Sequence, residues 1–357
     1  MKPLNLLFIF TPVGRVQDPM TAGVRKAMFN IYKALSKRGH QITLLAPTGS
    51  FTEACDIRII QIEGKFQAHL LDNSEDVFYP IFENSFLQNA LNFARIHQKE
   101  YDIIINYAND WLPYYLTTFF ETPIIHRMNL SDGNAVVSYM VRKIAEQFPN
   151  RVGVLTKAQA KDVGIEQNSF IVGQGLDLDI FPFFENLKKR KHLAFIGRIS
   201  TEKGLEDAAE IARRSNHKLL VFGFIQNPSY FDKIMKEYSD TIIHKGHVEH
   251  EELTAGLESC KALIFTPKCQ EAFGGVIIQS MACGIPVISY AIGGPKEVVI
   301  DGKTGFLVPP NDIEKAVAKI GQLSEISPRD CRDFVENNYS LSQLGDTYEK
   351  WFAKVMR

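Results

Sequence analysis

The chain has 357 residues, a length typical of two domains, and its 45% hydrophobic and 23% charged residues are typical of a globular protein. Its 40 lysine and arginine residues nearly balance 41 aspartate and glutamate residues, which excludes the broadly basic surface of a bulk nucleic-acid binder. No apolar run approaches the roughly 18 residues that span a bilayer. Five cysteines without a C-x-x-C pair indicate reduced thiols, so we expect a cytoplasmic protein.

The first half of the chain alternates short apolar runs with helical patterns, which predicts a parallel sheet built from strand–helix units. Apolar residues recur at helical spacing from Val24 to Leu35 and Gly39 follows them, so the first helix is expected there. The predicted strands are Leu4–Phe10, Gln41–Ala46, Ile57–Ile62, Asp102–Asn106, Pro123–His126, Arg151–Thr156 and Ser169–Val172.

The second half restarts this alternation and predicts a second domain of the same class. Helices are expected at Leu205–Arg214 and Glu251–Ser259. The final stretch, 341–356, has an apolar stripe on one helical face that needs a surface to cover, for which the first domain is the candidate. The stripe consists of Leu344, Tyr348, Trp351 and Phe352. The predicted strands are His192–Ile196, Leu219–Phe222, Thr241–His244, Ala262–Phe265, Pro286–Ser289 and Phe306–Val308.

Three loops after predicted strands have the residues of a ligand site, since ligands bind beyond the carboxyl ends of strands in such sheets. The first runs from Thr11 to Gly14 and on to Gly23, where glycines would let the start of the first helix face a ligand. Because any strand-to-helix turn favours glycine, this loop alone is equally well a structural turn. Its spacing matches neither G-x-G-x-x-G nor the P-loop, which argues against dinucleotide and Walker-type sites.

The second loop, Phe195–Gly204, places Arg198 and Lys203 just after a buried strand. Two cations at the carboxyl end of a strand suit a diphosphate, because arginine binds phosphate oxygens through two N–H groups and lysine acts as a point charge. The alternative is a surface loop with solvated cations, which an isolated pair would favour. The neighbouring third loop shifts the interpretation toward a phosphate site.

The third loop is the most informative stretch of the chain. Glu271 precedes the pair Gly274–Gly275, a helical run follows from Val276, and Gln279 lies one turn into it. The N–H groups at such a helix start bind phosphate, and a carboxylate beside them suits a sugar hydroxyl. The loop therefore predicts a nucleotide-sugar or similar phosphorylated ligand. In the alternative, Glu271 caps the helix and Gln279 is an exposed helical residue.

Together these loops resemble the retaining family 4 glycosyltransferases, whose α/β architecture is called GT-B, over nearly the whole chain. The resemblance implies two doubly wound, Rossmann-like domains that face a central cleft. The acceptor-binding domain would comprise 1–178 with the C-terminal helix 341–357, and the nucleotide-sugar donor domain 179–340. The matching segments are Gly23 with Lys37–His40, Phe195–Arg198 with Lys203–Gly204, Glu271–Gly274, Ser280–Gly284, Pro286–Ile288 and Gly302–Val308.

The resemblance also implies roles at matching positions. Arg198 and Lys203 would hold the donor diphosphate, and Glu271 would bind hydroxyl groups of the donor sugar. The N–H groups that follow Phe273 would assist, at Gly274, Gly275 and Val276. The implied reaction is hexosyl transfer by front-face displacement with retention, in which a phosphate oxygen takes the proton of the acceptor. Such a reaction requires no side-chain nucleophile, no metal and no cofactor.

Further residues join the implied donor site. Gly14 and Gly23 would bind the donor, and the loop of Val248 would border the nucleotide base. His126 would approach the donor sugar from the first domain, although a lone histidine at a strand end is more often structural. The family usually has a glutamate where this chain has Gln279, which keeps an acceptor for the ribose but loses the charge.

Two other patterns are typical of metal sites, but neither is expected to bind a metal ion here. Asp177-Leu-Asp179 has the D-x-D pattern of metal-dependent transferases, but it lies in the segment that matches the interdomain crossover of the family. His244, His247 and His250 recur at intervals of three, but no acidic residue or cysteine supports a zinc site there.

The expected partners are a nucleotide sugar and an acceptor with a hydroxyl group. Tyr107, Trp111, Tyr114 and Tyr115 follow a strand at helical spacing, so a planar acceptor would stack there unless the rings pack in the core. Together with Thr11–Gly14 and Thr266–Phe273, this segment resembles a subgroup that transfers glucose from UDP-glucose to tetrahydrobiopterin. Alternatives are a lipid-linked or polysaccharide acceptor at a membrane surface, a nucleotide-sugar binder, and a sugar-nucleotide epimerase.

Overall fold

The computed structural model describes residues 1–17, 23–53, 56–66, 83–129, 135–186 and 190–356. The chain forms two compact units. The N-terminal unit comprises Met1–Gly175 together with Leu341–Arg357, and the C-terminal unit comprises Leu176–Ser340. Among the described residues no helix is long and apolar enough to cross a membrane.

The described part of the N-terminal unit has a parallel sheet of seven strands in the order β3-β2-β1-β4-β5-β6-β7. The strands are β1 (Asn5–Ile9), β2 (Gln41–Pro47), β3 (Arg58–Ile62), β4 (Ile103–Asn106), β5 (Ile124–Arg127), β6 (Val152–Val154) and β7 (Ser169–Ile171). The helices are α1 (Gly23–Ser36), α2 (Phe86–His97), α3 (Trp111–Leu116), α4 (Ala135–Gln147) and α5 (Lys157–Val163).

The C-terminal unit repeats this topology in a parallel sheet for which six strands are described, in the order β10-β9-β8-β11-β12-β13. The strands are β8 (His192–Ile196), β9 (Leu219–Phe222), β10 (Ile242–Gly246), β11 (Cys260–Phe265), β12 (Val287–Tyr290) and β13 (Gly305–Val308). The helices are α6 (Leu205–Arg214), α7 (Pro228–Tyr238), α8 (His250–Glu258), α9 (Gly275–Ala282), α10 (Pro295–Val298), α11 (Ile313–Ile320) and α12 (Pro328–Tyr339).

The strands at the centre of each sheet are buried on both faces. This is why their residues form continuous apolar runs in the sequence. Residues 6–9 of β1 and all four residues of β9 and β12 are buried. Each predicted strand has a counterpart that differs by at most two residues at either end. The prediction of parallel strand–helix units is therefore confirmed.

The final helix, α13 (Leu341–Val355), packs on the N-terminal unit, as its apolar stripe predicts. Tyr348, Trp351 and Phe352 are fully buried, and the indole N–H of Trp351 donates a 2.6 Å hydrogen bond to the carbonyl oxygen of Asn150. Polar contacts flank the stripe. The Arg38 guanidinium lies 2.7 Å from Asp346 and 2.8 Å from Glu349, both on α13.

Candidate functional site

Each sheet reverses its strand order beside its first strand, between β1 and β4 and between β8 and β11. At such a point successive loops leave in opposite directions and open a crevice, where ligands bind in open α/β sheets. The loops that follow β8 and β11 carry Arg198, Lys203 and Glu271. The C-terminal unit thus brings these three predicted residues to one edge of its sheet.

The loop after β8 is held against the loop after β11. Gly204 has a φ of 65°, and a Cβ atom there would lie 2.1 Å from the carbonyl oxygen of Thr266. The Thr266 hydroxyl donates a 2.9 Å hydrogen bond to the carbonyl oxygen of Gly204. The N–H of Lys268 donates to the carbonyl oxygen of Glu202, also at 2.9 Å. Only glycine permits this approach, so Gly204 fixes the neighbouring Lys203 relative to the loop after β11.

A second glycine pair, Gly293–Gly294 after β12, fixes the backbone of Glu271. A Cβ atom on Gly293 would lie 2.4 Å from the carbonyl oxygen of Glu271, and one on Gly294 would lie 2.5 Å from that of Ala272. The N–H of Gly294 donates a 2.7 Å hydrogen bond to the carbonyl oxygen of Glu271. This pair therefore serves the close packing of two backbone segments.

The charged side chains of the site are paired with each other. Lys203 Nζ lies 2.6 Å from Glu271 Oε2, and both side chains are about four-fifths buried. Arg198 donates from one terminal nitrogen to Gln226 Oε1 at 2.5 Å, and its other terminal nitrogen lies 3.3 Å from Glu202 Oε1. The site thus contains cations suited to phosphate and a carboxylate suited to a sugar hydroxyl.

Helix α9 begins directly after this charged group. Gly274 precedes the helix with a φ of 83°, and Phe273 is buried against Tyr339 at a ring-centroid distance of 5.6 Å. The N–H groups of Gly275 and Val276 have no acceptor within the helix, as in the first turn of any α-helix. A helix start with free N–H groups therefore lies next to Glu271.

Gln279 lies half-buried in the second turn of α9. Its amide makes no hydrogen bond to any residue that the structure describes. Val248 is half-buried in the loop between β10 and α8.

The histidines that the sequence spaces at intervals of three do not converge. His244 Nε2 lies 3.0 Å from the carbonyl oxygen of Gly223, and His250 Nε2 lies 2.8 Å from that of Ile180. Over the described ranges, no group of three His, Cys, Asp or Glu side chains is arranged to hold a metal ion.

In the N-terminal unit, Gly14 lies between β1 and α1, and Gly23 lies at the start of α1. Gly14 has a φ of 76°, and a Cβ atom there would lie 2.8 Å from a terminal nitrogen of Arg25. That nitrogen donates a 3.0 Å hydrogen bond to the carbonyl oxygen of Val13. Gly23 is the first residue of α1, and the residues between 17 and 23 lie outside the described ranges. Gly14 thus has a structural reason independent of any ligand.

His126 has a structural environment. Its side chain has no exposed surface and stacks on Tyr114 at a centroid distance of 4.2 Å. The Asn106 amide donates to Nδ1 at 3.1 Å, and Nε2 donates to the Thr117 hydroxyl at 2.8 Å. Burial, with a smaller contribution from the charge of Arg151, lowers the pKa of His126 to about 3. This neutral imidazole therefore supports β5, and its buried ring has no surface to offer a donor sugar.

The aromatic residues that the sequence interpretation assigned to an acceptor separate into two groups. Tyr107 and Tyr114 are buried at 2% and 1% exposure, so they belong to the core. Trp111 is half-buried at the start of α3, and its ring contacts Tyr115, which in turn contacts Phe119, at centroid distances of 6.0 and 5.9 Å. Because Tyr115 and Phe119 are 50% and 59% exposed, this row of rings leaves aromatic surface accessible.

The sequence interpretation did not single out the residues that surround the cations. Glu202 lies four positions after Arg198, in a short 3-10 turn at Thr201–Lys203 that the sequence interpretation did not predict. Lys268 pairs with Asp207 and donates to Asn311 Oδ1 at 2.9 Å, which anchors the loop after β11. Gln226 comes from the loop after β9, so no local spacing connects it with Arg198.

Residues 178–341 match the family Glycosyl transferases group 1. The matched residues cover almost the whole of the C-terminal unit. Over 205 residues the chain is 27% identical to an uncharacterized 41.2 kDa protein in the cps region of Klebsiella pneumoniae, covering 53% of this chain and 56% of that protein. It is 23% identical over 237 residues to the capsular polysaccharide biosynthesis glycosyltransferase CapM of Staphylococcus aureus, covering 60% of this chain and 61% of CapM. The match thus spans less than two-thirds of either relative.

The fold of the whole chain has known counterparts. The crystal structure of Anabaena HepE in complex with UDP and glucose superposes with a TM-score of 0.74 at 14% sequence identity, covering 98% of this chain and 100% of HepE. The predicted GT-B fold class is confirmed.

Proposed function

We propose that the protein is a retaining, metal-independent glycosyltransferase. It transfers a hexosyl group from a UDP-sugar to a hydroxyl group, and UDP-glucose is our first candidate for the donor. The observation that carries the proposal is the Lys203–Glu271 contact of 2.6 Å at the edge of β8 and β11, beside the start of α9. It puts a cation for phosphate next to a carboxylate for a sugar hydroxyl. The crystal structure of HepE with UDP and glucose supports this choice of donor.

In the proposed reaction the bond between the anomeric carbon and the diphosphate oxygen breaks, and its electron pair leaves with UDP. Arg198 and Lys203 stabilise the negative charge that develops on the diphosphate. The acceptor oxygen bonds to the anomeric carbon on the face from which UDP departs, and the departing phosphate oxygen takes the acceptor proton. Because the two cations come from the protein, the reaction needs no metal ion. Because the acceptor oxygen bonds directly to the anomeric carbon, it needs no side-chain nucleophile.

For the acceptor we propose a reduced pterin such as tetrahydrobiopterin. The accessible row of Trp111, Tyr115 and Phe119 supports this choice, because a flat heterocycle stacks on aromatic side chains. Tyr107 is too deeply buried to take part. A saccharide acceptor is the second candidate, favoured by the likeness to a capsular polysaccharide glycosyltransferase.

The test is incubation with UDP-glucose, UDP-galactose and GDP-mannose, each with tetrahydrobiopterin, with oligosaccharides and without acceptor. UDP release and product masses are measured. A hexosyl adduct of the pterin with retained configuration supports the proposal in full, whereas an elongated saccharide supports the second acceptor. If no sugar is transferred from any donor, the transferase proposal fails. A new sugar nucleotide in the sample without acceptor would instead identify an epimerase.

A further inference from the structure

The cations of the candidate donor site are already neutralised by the protein. Lys203 is paired with Glu271 and Arg198 with Glu202, so the four charges sum to zero. Burial raises the pKa of the Cys269 thiol, the charges of Lys203 and Arg198 oppose this rise, and those of Glu271 and Glu202 add to it. A diphosphate that enters therefore meets a site without excess positive charge.

Arg198 has two neighbours with different effects. Gln226 accepts a 2.5 Å hydrogen bond and orients the guanidinium without changing its charge. Glu202 lies 3.3 Å from the other terminal nitrogen and cancels that charge. The Arg198 and Glu202 side chains are 29% and 36% exposed, so their ion pair is weak enough for a phosphate to displace.

We infer that Glu202 is a positioning residue that occupies Arg198 when the site is empty and competes with the diphosphate of the donor and of the UDP product. The inference rests on the proposed function. When UDP leaves, the Glu202 carboxylate re-forms its ion pair with the Arg198 guanidinium, which favours release of the product. Glu202 thus weakens nucleotide binding, whereas Gln226 strengthens it.

The test measures UDP binding by calorimetry and donor kinetics for Glu202→Gln and Gln226→Ala. Glu202→Gln is expected to bind UDP about two- to fivefold more tightly, the range of an exposed ion pair. The KM for the donor and the inhibition constant of UDP should fall together, while kcat does not rise. Gln226→Ala is expected to weaken UDP binding. Glu325→Gln, an exposed residue of the same unit, makes the same change in net charge and should leave binding unchanged.

Two outcomes overturn the inference while leaving the proposed function intact. One is a folded Glu202→Gln protein that binds UDP no more tightly than the native protein. The other is an equal gain when Glu202→Gln is combined with Arg198→Gln, since the effect must pass through Arg198. If the native protein binds no UDP at all, the proposed function fails and the inference fails with it.

Discussion

Lys203 and Glu271 are the side chains on which the proposed transfer depends most directly. We expect Lys203→Ala and Glu271→Ala each to lower kcat by roughly 100-fold or more, since each removes a polar group that stabilises the reacting donor. Both side chains are partly exposed, so the fold should persist, which circular dichroism checks. Lys236→Ala, an exposed lysine on α7, is the control. Near-native rates in either variant would contradict the assigned roles.

At Gln279 this chain differs from the glutamate that is usual in the family it resembles. We expect Gln279→Glu to bind UDP equally or more tightly, because a carboxylate offers two acceptor oxygens to a ribose diol and an amide offers one. Gln279→Met, of similar size without an acceptor, should bind UDP more weakly. Calorimetry of the two variants decides. A large loss of affinity in Gln279→Glu would mean that Gln279 is adapted to another ligand.

His126 should make the N-terminal unit sensitive to acid. Its pKa is about 3 in the folded protein and about 6.5 when solvated, so the unfolded chain binds more protons between these values. The free energy of unfolding therefore falls as the pH decreases from 6.5, by about 2 kcal/mol at pH 5 from this residue alone. Burial also lowers the pKa of His40 in the same unit, which acts in the same direction.

Urea unfolding at pH 7 and pH 5 tests this dependence. His126→Asn should show a smaller difference between the two pH values than the native protein. His247→Asn, which changes an exposed histidine, should keep the native difference. An unchanged difference in His126→Asn would contradict the role of His126.

At the scale of elements, the candidate site depends on the contact between the loops after β8 and β11. Gly204→Ala should destabilise the C-terminal unit and abolish donor binding, because its Cβ atom would overlap the backbone of Thr266. Gly302→Ala is the matched control, since Gly302 has a φ of 75° but no atom within 4 Å of an added Cβ.

Thermal unfolding of both variants separates the two effects. The control should lose about 1–2 kcal/mol, the cost of a left-handed conformation alone. Gly204→Ala should lose clearly more. Equal losses would show that the contact between the loops contributes little.

The strands were predictable because those buried on both faces are apolar throughout, and glycines mark the loops beside them. The helix start at Gly275 and the loop positions of Arg198, Lys203 and Glu271 followed from the same signals. The surroundings of Arg198 were not predictable, since Gln226 comes from another loop and only the folded sheet brings it near. The burial of Tyr107 and His126 also depends on packing that helical or strand spacing does not determine.

At the scale of the whole molecule, α13 closes the N-terminal unit from the far end of the chain. Trp351→Ala should destabilise that unit by about 3–5 kcal/mol, because the indole is fully buried and its N–H has a backbone partner. Lys350→Ala on the same helix is the exposed control. Chemical unfolding measures both. A loss below about 1 kcal/mol in Trp351→Ala would show that α13 is dispensable for the stability of the unit.

The return of α13 also has a consequence for synthesis of the chain. The N-terminal unit includes α13, so on the ribosome one face of this unit has no cover while the 176–340 segment is translated, roughly 10–30 s at typical rates. The C-terminal unit is contiguous and can complete its core first, although it is made later. We expect the surface that later receives Trp351 and Phe352 to stay uncovered during that interval, which makes the nascent N-terminal unit a natural client for chaperones.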